Sequence, residues 1–216
     1  MYKQLRTLFA RLRNANFDDE QRILRAFPSS IHGDVQKLLP LLPFSRRSVV
    51  LADGRAHILD NLVSEFHPIE VFVRTERVEI PYRIYLDELE PDIRTTLTDT
   101  QRVIADCIYL RHHNGHVRQK HLENLIGVVD YFVTPFVIQL IGEYVLEILD
   151  VVEELMTPSV LSDYAEFIND NPFFWKRTQS RMVSYWDVYY RHRYPEISSY
   201  VGKRLVDRLN LASRVG

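Results

Sequence analysis

The sequence predicts a mainly α-helical protein made of stacked antiparallel helical hairpins, solenoid-like or bundled, with a small N-terminal β-hairpin element. Three observations support this class. Helix-start signals recur through the second half of the chain, only short connections separate the predicted helices, and period-two apolar stretches are confined to residues 48–85. Helices joined in order by short connections pack mostly on their neighbours, which favours antiparallel hairpins.

Residues 1–96 form the first predicted region, which opens with short helices. An apolar stripe at helical spacing predicts the first helix over residues 5–12. A second helix is expected around Ile23, Leu24 and Phe27, because the acidic residues 18–20 before them favour the positive N-terminal end of a helix.

The β element follows within the same region. Asp53-Gly54 supplies the positive φ values of a type I′ turn between two apolar runs, which predicts a hairpin. Residues 71–73 and 78–80 add period-two stretches. Pro81 limits the stretch after it to an edge strand, because proline cannot donate a ladder hydrogen bond.

Residues 97–216 form the second predicted region, which is helical throughout. Thr98 and Gln101 have the spacing of a capping box. Three further starts place a capping side chain directly before a proline at the first helical position: Thr134-Pro135, Thr157-Pro158 and Asn171-Pro172. The predicted helices cover residues 99–112, 116–126, 135–155, 158–169, 172–191 and 196–209.

Two glycines in this region have specific structural meanings. Asn114-Gly115 predicts a left-handed end to the first of these helices. Gly142 lies inside the third predicted helix, where glycine costs roughly 1 kcal/mol relative to alanine. A close crossing of another helix at Gly142 would explain that cost.

The composition is that of a folded protein in a reducing compartment. Of the 216 residues 46% are hydrophobic, and there is one cysteine, Cys107, which cannot form an internal disulfide. We therefore expect a cytoplasmic protein. The N-terminus lacks the apolar stretch of a signal peptide, and the apolar residues 128–152 include too many acids for a membrane span, so no membrane association is expected.

Charge is segregated along the chain although the net charge is only -2. Residues 131–170 include eight acidic side chains and no lysine or arginine, whereas residues 171–216 include nine basic and three acidic ones. Two interpretations remain open. The acidic ridge that contains Glu143 and Glu147 either lies beside the basic C-terminal helices or faces an external partner.

The basic C-terminal segment interleaves cations with aromatic rings. Arg177, Arg181 and Arg191 could neutralise phosphates while neighbouring rings stack on bases, which suits nucleic acid. The helical spacing of the aromatic residues equally predicts a buried stripe with a solvated basic face. Its members are Trp175, Met182, Tyr185, Trp186 and Tyr189.

Four histidines fall within ten residues at the turn between two predicted helices. Three of them, together with flanking arginines, are candidates for contacting a partner or an anion: Arg111, His112, His113, His116 and Arg118. Cations at a helix C-terminus also have a structural reason to exist there. His113 and His116 are weak candidates for metal ligands, because their spacing matches no known ligand motif.

No catalytic signature is present, so the sequence favours a binding function over an enzymatic one, and no cofactor is expected. The main hypothesis is a helical binding or scaffold module that contacts a protein partner through charge-segregated, aromatic-rich helices. The alternatives are nucleic-acid binding by the basic C-terminal helices and a metal-dependent enzyme at the histidine-rich turn.

Overall fold

The computed structural model describes residues 17–44, 48–50, 56–58 and 61–214. Within these residues the protein is mainly helical with small two-stranded sheets, which confirms the predicted class at that level. The helix predicted over residues 5–12 and the Asp53-Gly54 turn lie outside the described residues. None of the described helices has the length and apolar character needed to cross a membrane.

The chain divides into two compact units. The first unit consists of residues 1–69 and 78–113, and the second consists of residues 70–77 and 114–216. The predicted boundary between residues 96 and 97 falls inside the first unit.

The first unit combines short helices with a β-hairpin. Its helices are α1 (residues 17–24), α2 (His32–Leu38), α3 (Pro91–Thr96) and α4 (Asp99–Tyr109). Strand β1 (Ser48–Val50) pairs antiparallel with β2 (Ala56–Ile58), and Ser48 lies opposite Ile58, which confirms the predicted hairpin.

Helix α4 forms much of the core of the first unit. It begins with the predicted capping box of Thr98 and Gln101, packs on α2 and buries Cys107 completely. The acidic residues 18–20 lie in the first turns of α1, and one of them does more than favour a helix start. The buried carboxylate of Asp19 accepts hydrogen bonds from the backbone N–H groups of Leu62 and Val63 at 3.0 and 3.1 Å.

A second pair of strands is β3 (Ile69–Val73) and β4 (Glu76–Ile80). A two-residue turn joins them, which requires antiparallel pairing, and Arg74 in this turn has a φ of 57°. The stretch after Pro81 forms no regular strand. Ile84 alone makes isolated bridges, antiparallel to Val63 and parallel to His112.

The second unit is a set of helices around one central helix. Its helices are α5 (Gly115–Glu123), α6 (Thr134–Ile141), α7 (Leu146–Leu155), α8 (Pro158–Asp170), α9 (Pro172–Tyr185) and α10 (Val201–Ala212), and a π-helix (Trp186–Tyr190) continues α9. Every residue of α6 is buried. Helix α6 contacts α7, α8, α9 and α10, so it forms the centre of this unit's core.

The prediction of a single helix over residues 135–155 is wrong, because the helix is interrupted between α6 and α7. Gly142 ends α6 at a close crossing, where an added Cβ would lie 3.3 Å from the Thr178 carbonyl oxygen of α9. This confirms the predicted crossing. Directly after it, Glu143 is buried instead of continuing an exposed helical ridge, and α7 starts only at Leu146.

Several predicted helix ends also differ from the structure. Asn114 is not left-handed: its φ is -83°, and its side chain caps the start of α5 by accepting a hydrogen bond from the His116 backbone N–H. Thr134 lies inside α6. Helices α8 and α9 begin at the predicted prolines, but the side chains of Thr157 and Asn171 make no capping hydrogen bond.

Candidate binding surface

Two candidates from the histidine-rich turn contact backbone carbonyl oxygens within the first unit. Arg111 is buried and its guanidinium donates hydrogen bonds to the carbonyl oxygens of Pro81 and Tyr82 at 3.2 and 2.7 Å. His112 is buried as well, with Nε2 2.9 Å from the Leu86 carbonyl oxygen. Both side chains thus stabilise the irregular segment that follows Pro81.

The other two histidine candidates are more accessible. His113 is half-buried and stacks on Tyr85 with ring centroids 5.2 Å apart, whereas His116 is exposed. They belong to different units. Among the described residues, no group of three or more His, Cys, Asp or Glu side chains is placed to hold a metal ion.

Arg118 forms an ion pair in the interior of the second unit. Its Nη2 lies 2.9 Å from Oε2 of Glu143, and the two side chains are 2% and 1% exposed. Glu143 was expected on an acidic ridge that lies beside the basic C-terminal helices or faces a partner, and its burial shows that this expectation is wrong. The pair connects α5 to the break between α6 and α7. Because both side chains are buried, neither charge is accessible to an external anion or partner.

The acidic helix α7 meets the basic C-terminal region at one bidentate pair. Nε and Nη2 of Arg204 on α10 lie 3.0 and 2.8 Å from the two carboxylate oxygens of Glu153. Burial and the neighbouring carboxylates of Glu153 and Glu147 raise the pKa of Asp150. Part of the charge segregation is therefore compensated within this unit.

Three tyrosine rings, two exposed and one half-buried, form a cluster that we call the tyrosine surface: Tyr144, Tyr185 and Tyr189. Tyr144 follows α6, Tyr185 ends α9, and Tyr189 belongs to the π-helix. Their ring centroids lie 5.7, 5.6 and 6.1 Å apart, a spacing at which aromatic rings attract each other. Tyr189 is 59% exposed and Tyr144 49%.

A chain of rings anchors the tyrosine surface to the core. Tyr190 contacts Tyr189 and stacks on Tyr200 with centroids 5.4 Å apart, and its hydroxyl donates a hydrogen bond to the Tyr144 carbonyl oxygen. Tyr200 is fully buried, and burial raises the pKa of its hydroxyl. The π-helix widens the helix at this point, and π-helical turns occur frequently at functional sites.

The basic candidates of the C-terminal segment lie along the same helix. The guanidinium of Arg181 is 6.0 Å from the ring centroid of Tyr185. The guanidinium of Arg191 is 5.8 Å from the ring centroid of Trp186, and its Nη1 is 2.8 Å from Oδ1 of Asp187. Arg177 is exposed one helical turn before Arg181. The structure thus places Arg181 and Arg191 beside aromatic rings.

The predicted aromatic stripe is buried only at its N-terminal end. Trp175 and Met182 are buried, as expected, but Tyr185 and Trp186 are half-buried and Tyr189 is exposed. The sequence did not single out Tyr144, because this residue lies in the break between two helices. The Gly142 crossing was the available signal, since it brings the chain against α9 just before Tyr144.

The tyrosine surface presents three flat rings, and the guanidinium of Arg181 lies beside one of them. It is formed by residues from the break after α6, from α9 and from the π-helix, all within the second unit. Comparison with protein-family models, with curated proteins and with solved structures found no significant match to this chain.

Proposed function

We propose that the protein is a non-enzymatic cytoplasmic binding or scaffold module that contacts a protein partner through the tyrosine surface. The observation that supports this is the mutual contact of three rings, of which Tyr144 and Tyr189 are exposed and Tyr185 is half-buried. Val188, which precedes Tyr189 in the π-helix, is 68% exposed. Single exposed apolar side chains are common, whereas clustered ones are typical of interaction sites. Tyrosine and arginine are also enriched at the residues that dominate interface energetics.

The rings are held in position before any partner arrives. The hydrogen bond from the Tyr190 hydroxyl restrains Tyr144, and Trp186 Nε1 donates a hydrogen bond to the Tyr194 carbonyl oxygen at 2.9 Å. Tyrosine has few rotatable bonds, so little conformational entropy is lost when it is buried at an interface. A preorganised surface supports a binding function because it lowers the cost of association.

The arrangement of the helices supports a bundle rather than a solenoid. Helix α10 contacts α6, α7, α8 and α9, whereas a helix in a solenoid packs mainly on the repeats next to it. We therefore propose that the second unit is a helical bundle around α6, which presents the tyrosine surface from a rigid frame.

The test is site-specific crosslinking followed by measurement of affinity. A photoreactive phenylalanine analogue in place of Tyr189 should form a covalent adduct with a protein partner. With that partner purified, we expect Tyr144→Ser and Tyr185→Ser each to weaken binding by about tenfold or more. Binding is measured by isothermal titration calorimetry.

Phe173→Ser is the matched control. Phe173 is an aromatic residue of α9 that is 89% exposed, and 16 residues of helix place it roughly 24 Å from Tyr189. The control should leave the affinity unchanged. Equal affinities for wild type and both tyrosine variants would refute the proposal.

Nucleic-acid binding is the second candidate, and the placement of Arg181 and Arg191 beside rings favours it. It predicts a gel shift that weakens steeply with salt and is lost when Arg177, Arg181 and Arg191 are replaced together by glutamine. The sequence pI of 6.4 counts against it, because nucleic-acid-binding domains are commonly strongly basic. A shift insensitive to salt and to the triple replacement would exclude it.

A further inference from the structure

An open groove runs along one face of α8 in the second unit. Its volume is about 750 Å³, within the range of ligand sites. The lining residues of α8 recur at three- and four-residue intervals from Pro158 to Asp170, so they form one continuous face. Ala212 and Ser213, at the C-terminal end of α10, complete the groove. Thirteen helical residues make this face roughly 18 Å long.

The floor of the groove is apolar and its rim is acidic. Leu161, Ala165 and Ala212 provide apolar surface, and Glu166 and Asp170 provide carboxylates. Arg74 pairs with Glu166 at 2.7 Å and neutralises part of its charge, whereas Asp170 is exposed at the end of α8.

Two helix C-termini add negative potential at one end of the groove, whereas the N-terminus of α8 at Pro158 lies at the other end. Both α8 and α10 terminate beside the groove, and a helix C-terminus carries a partial negative charge on its unpaired carbonyl groups. Among the residues that line the groove there are two carboxylates and no lysine or arginine. A ligand that complements this groove must therefore be apolar on one side and cationic on its edges.

We propose that the α8 groove binds a basic amphipathic helix of a partner protein. Its apolar face would lie on Leu161 and Ala165, and its lysine or arginine side chains would lie along the rim near Asp170. Helix-in-groove recognition of this kind places apolar anchors at three- and four-residue intervals, which matches the spacing of the face that α8 presents. This site is distinct from the tyrosine surface.

The test uses the full chain and a labelled 18-residue peptide. Leucines recur in this peptide at three- and four-residue intervals, and lysines occupy the opposite helical face. Fluorescence anisotropy should show saturable binding that weakens with salt, because exposed charges are screened. Two peptides serve as controls: a scrambled peptide with no apolar face, and a leucine–glutamate peptide with the charge reversed. Neither should bind.

Variants of the protein locate the peptide. Ser162→Arg places a large cation in the groove at an exposed position and should weaken binding by at least about tenfold. Ser180→Arg, the same change at an exposed site of α9 that does not line the groove, should not. Asp170→Asn should weaken binding about threefold, whereas Glu154→Gln, an equal charge change at an exposed site of α7, should leave it unchanged.

The proposal is overturned if the scrambled peptide binds as tightly as the amphipathic one, or if Ser162→Arg binds like wild type. Concentration-dependent self-association that Ser162→Arg abolishes would also overturn it, because the groove would then hold a second copy of this chain. Far-ultraviolet circular dichroism of each variant confirms that the fold is retained. Loss of the tyrosine surface's function would leave these results unaffected.

Discussion

Arg118 and Glu143 show how a buried charge pair can define a fold without being a source of net stability. Both side chains are removed from water, so their attraction must first offset a large loss of hydration. Removing one partner is worse than removing both, since it leaves a charge buried without its counterpart. The pair lies where α6 breaks from α7, so it also favours this break over a continuous helix.

We expect Glu143→Leu to lower the free energy of unfolding by about 3–5 kcal/mol. The double variant Arg118→Met with Glu143→Leu should lose less than the single one. Urea unfolding of both variants measures the difference. Glu147→Leu, at an exposed position of α7, serves as the control and should change stability by less than about 0.5 kcal/mol. A double variant less stable than Glu143→Leu would contradict this account.

Gly142 is a second residue whose role depends on close contact. An added Cβ would lie 3.3 Å from the Thr178 oxygen and 3.5 Å from Cβ of Arg181. Gly142→Leu should therefore cost about 1–3 kcal/mol through overpacking. Gly33→Leu is the control, because no atom lies within 4 Å of its added Cβ, and it should gain up to about 1 kcal/mol. Equal effects in thermal unfolding would refute the crossing.

At the scale of elements, burial and neighbouring carboxylates make the contribution of Asp150 on α7 to stability depend on pH. The raised pKa of Asp150 means that the folded state binds its proton more tightly than the unfolded state does. Stability from this group is therefore lost as the pH rises above the ordinary value of 3.8. Arg204 and Arg193 oppose the shift but do not cancel it.

Asp150→Asn should accordingly raise the melting temperature at pH 7 by about 1 °C, a small effect because the site is exposed. The difference from wild type should shrink as the pH falls to 3.8 and below, where the aspartate is protonated in both states. Calorimetry between pH 3 and pH 7 tests this. A melting-temperature difference between Asp150→Asn and wild type that grows toward low pH would contradict the raised pKa of Asp150.

Asn171 links the tip of the β3–β4 hairpin to the junction of α8 and α9. Its Oδ1 accepts a hydrogen bond from the Phe72 N–H at 2.7 Å, and its Nδ2 donates to the Phe72 and Phe167 carbonyl oxygens at 2.8 and 2.9 Å. The amide thus pairs with β3 as a neighbouring strand would. These contacts engage the side chain that the sequence suggested as a helix cap.

Asn171→Ala should cost about 2–3 kcal/mol, because it leaves the Phe72 backbone groups without these partners. Hydrogen exchange at the Phe72 amide should become faster. Asn169→Ala removes one exposed hydrogen bond to the Ser213 carbonyl oxygen and should have little effect. Unchanged exchange at Phe72 would show that the amide does not hold the hairpin tip.

Local signals predicted helix starts better than helix extents. Proline and the Thr98 capping box act within one turn, and α4, α8 and α9 begin where those signals lie. The break after Gly142 depends on α9 and on Arg118, which are distant in sequence, so periodicity alone predicted one long helix. The hydrogen bonds of Asn171 and Asp19 were not predictable for the same reason, because their partners are also distant in sequence.

At the scale of the whole molecule, charge segregation proves partly internal. Glu153 pairs with Arg204 and Glu166 with Arg74, so acidic and basic segments meet within the second unit. The tyrosine surface was predictable in part: Tyr185, Tyr189 and the neighbouring Arg181 stood out by composition. Their exposure was not predictable, because a π-helix changes which side chains face outward and leaves no periodic signal in the sequence.

The single cysteine provides a test of the integrity of the fold. Cys107 is completely buried in α4, so a thiol reagent can reach it only when the structure opens. We expect labelling of the native protein to be slower than that of the denatured protein by about a thousandfold or more. Mass spectrometry after timed exposure to iodoacetamide measures both rates. Rapid labelling without denaturant would contradict this packing.

The fluorescence of Trp186 can report binding at the tyrosine surface. The chain has two tryptophans, and Trp175 is buried with Nε1 bonded to Asn210, whereas Trp186 is half-buried in the π-helix between Tyr185 and Tyr189. Water that leaves this surface on binding would shift the emission of Trp186 and leave that of Trp175 unchanged. Partner screening can therefore proceed by intrinsic fluorescence, with Trp186→Phe as the silent control.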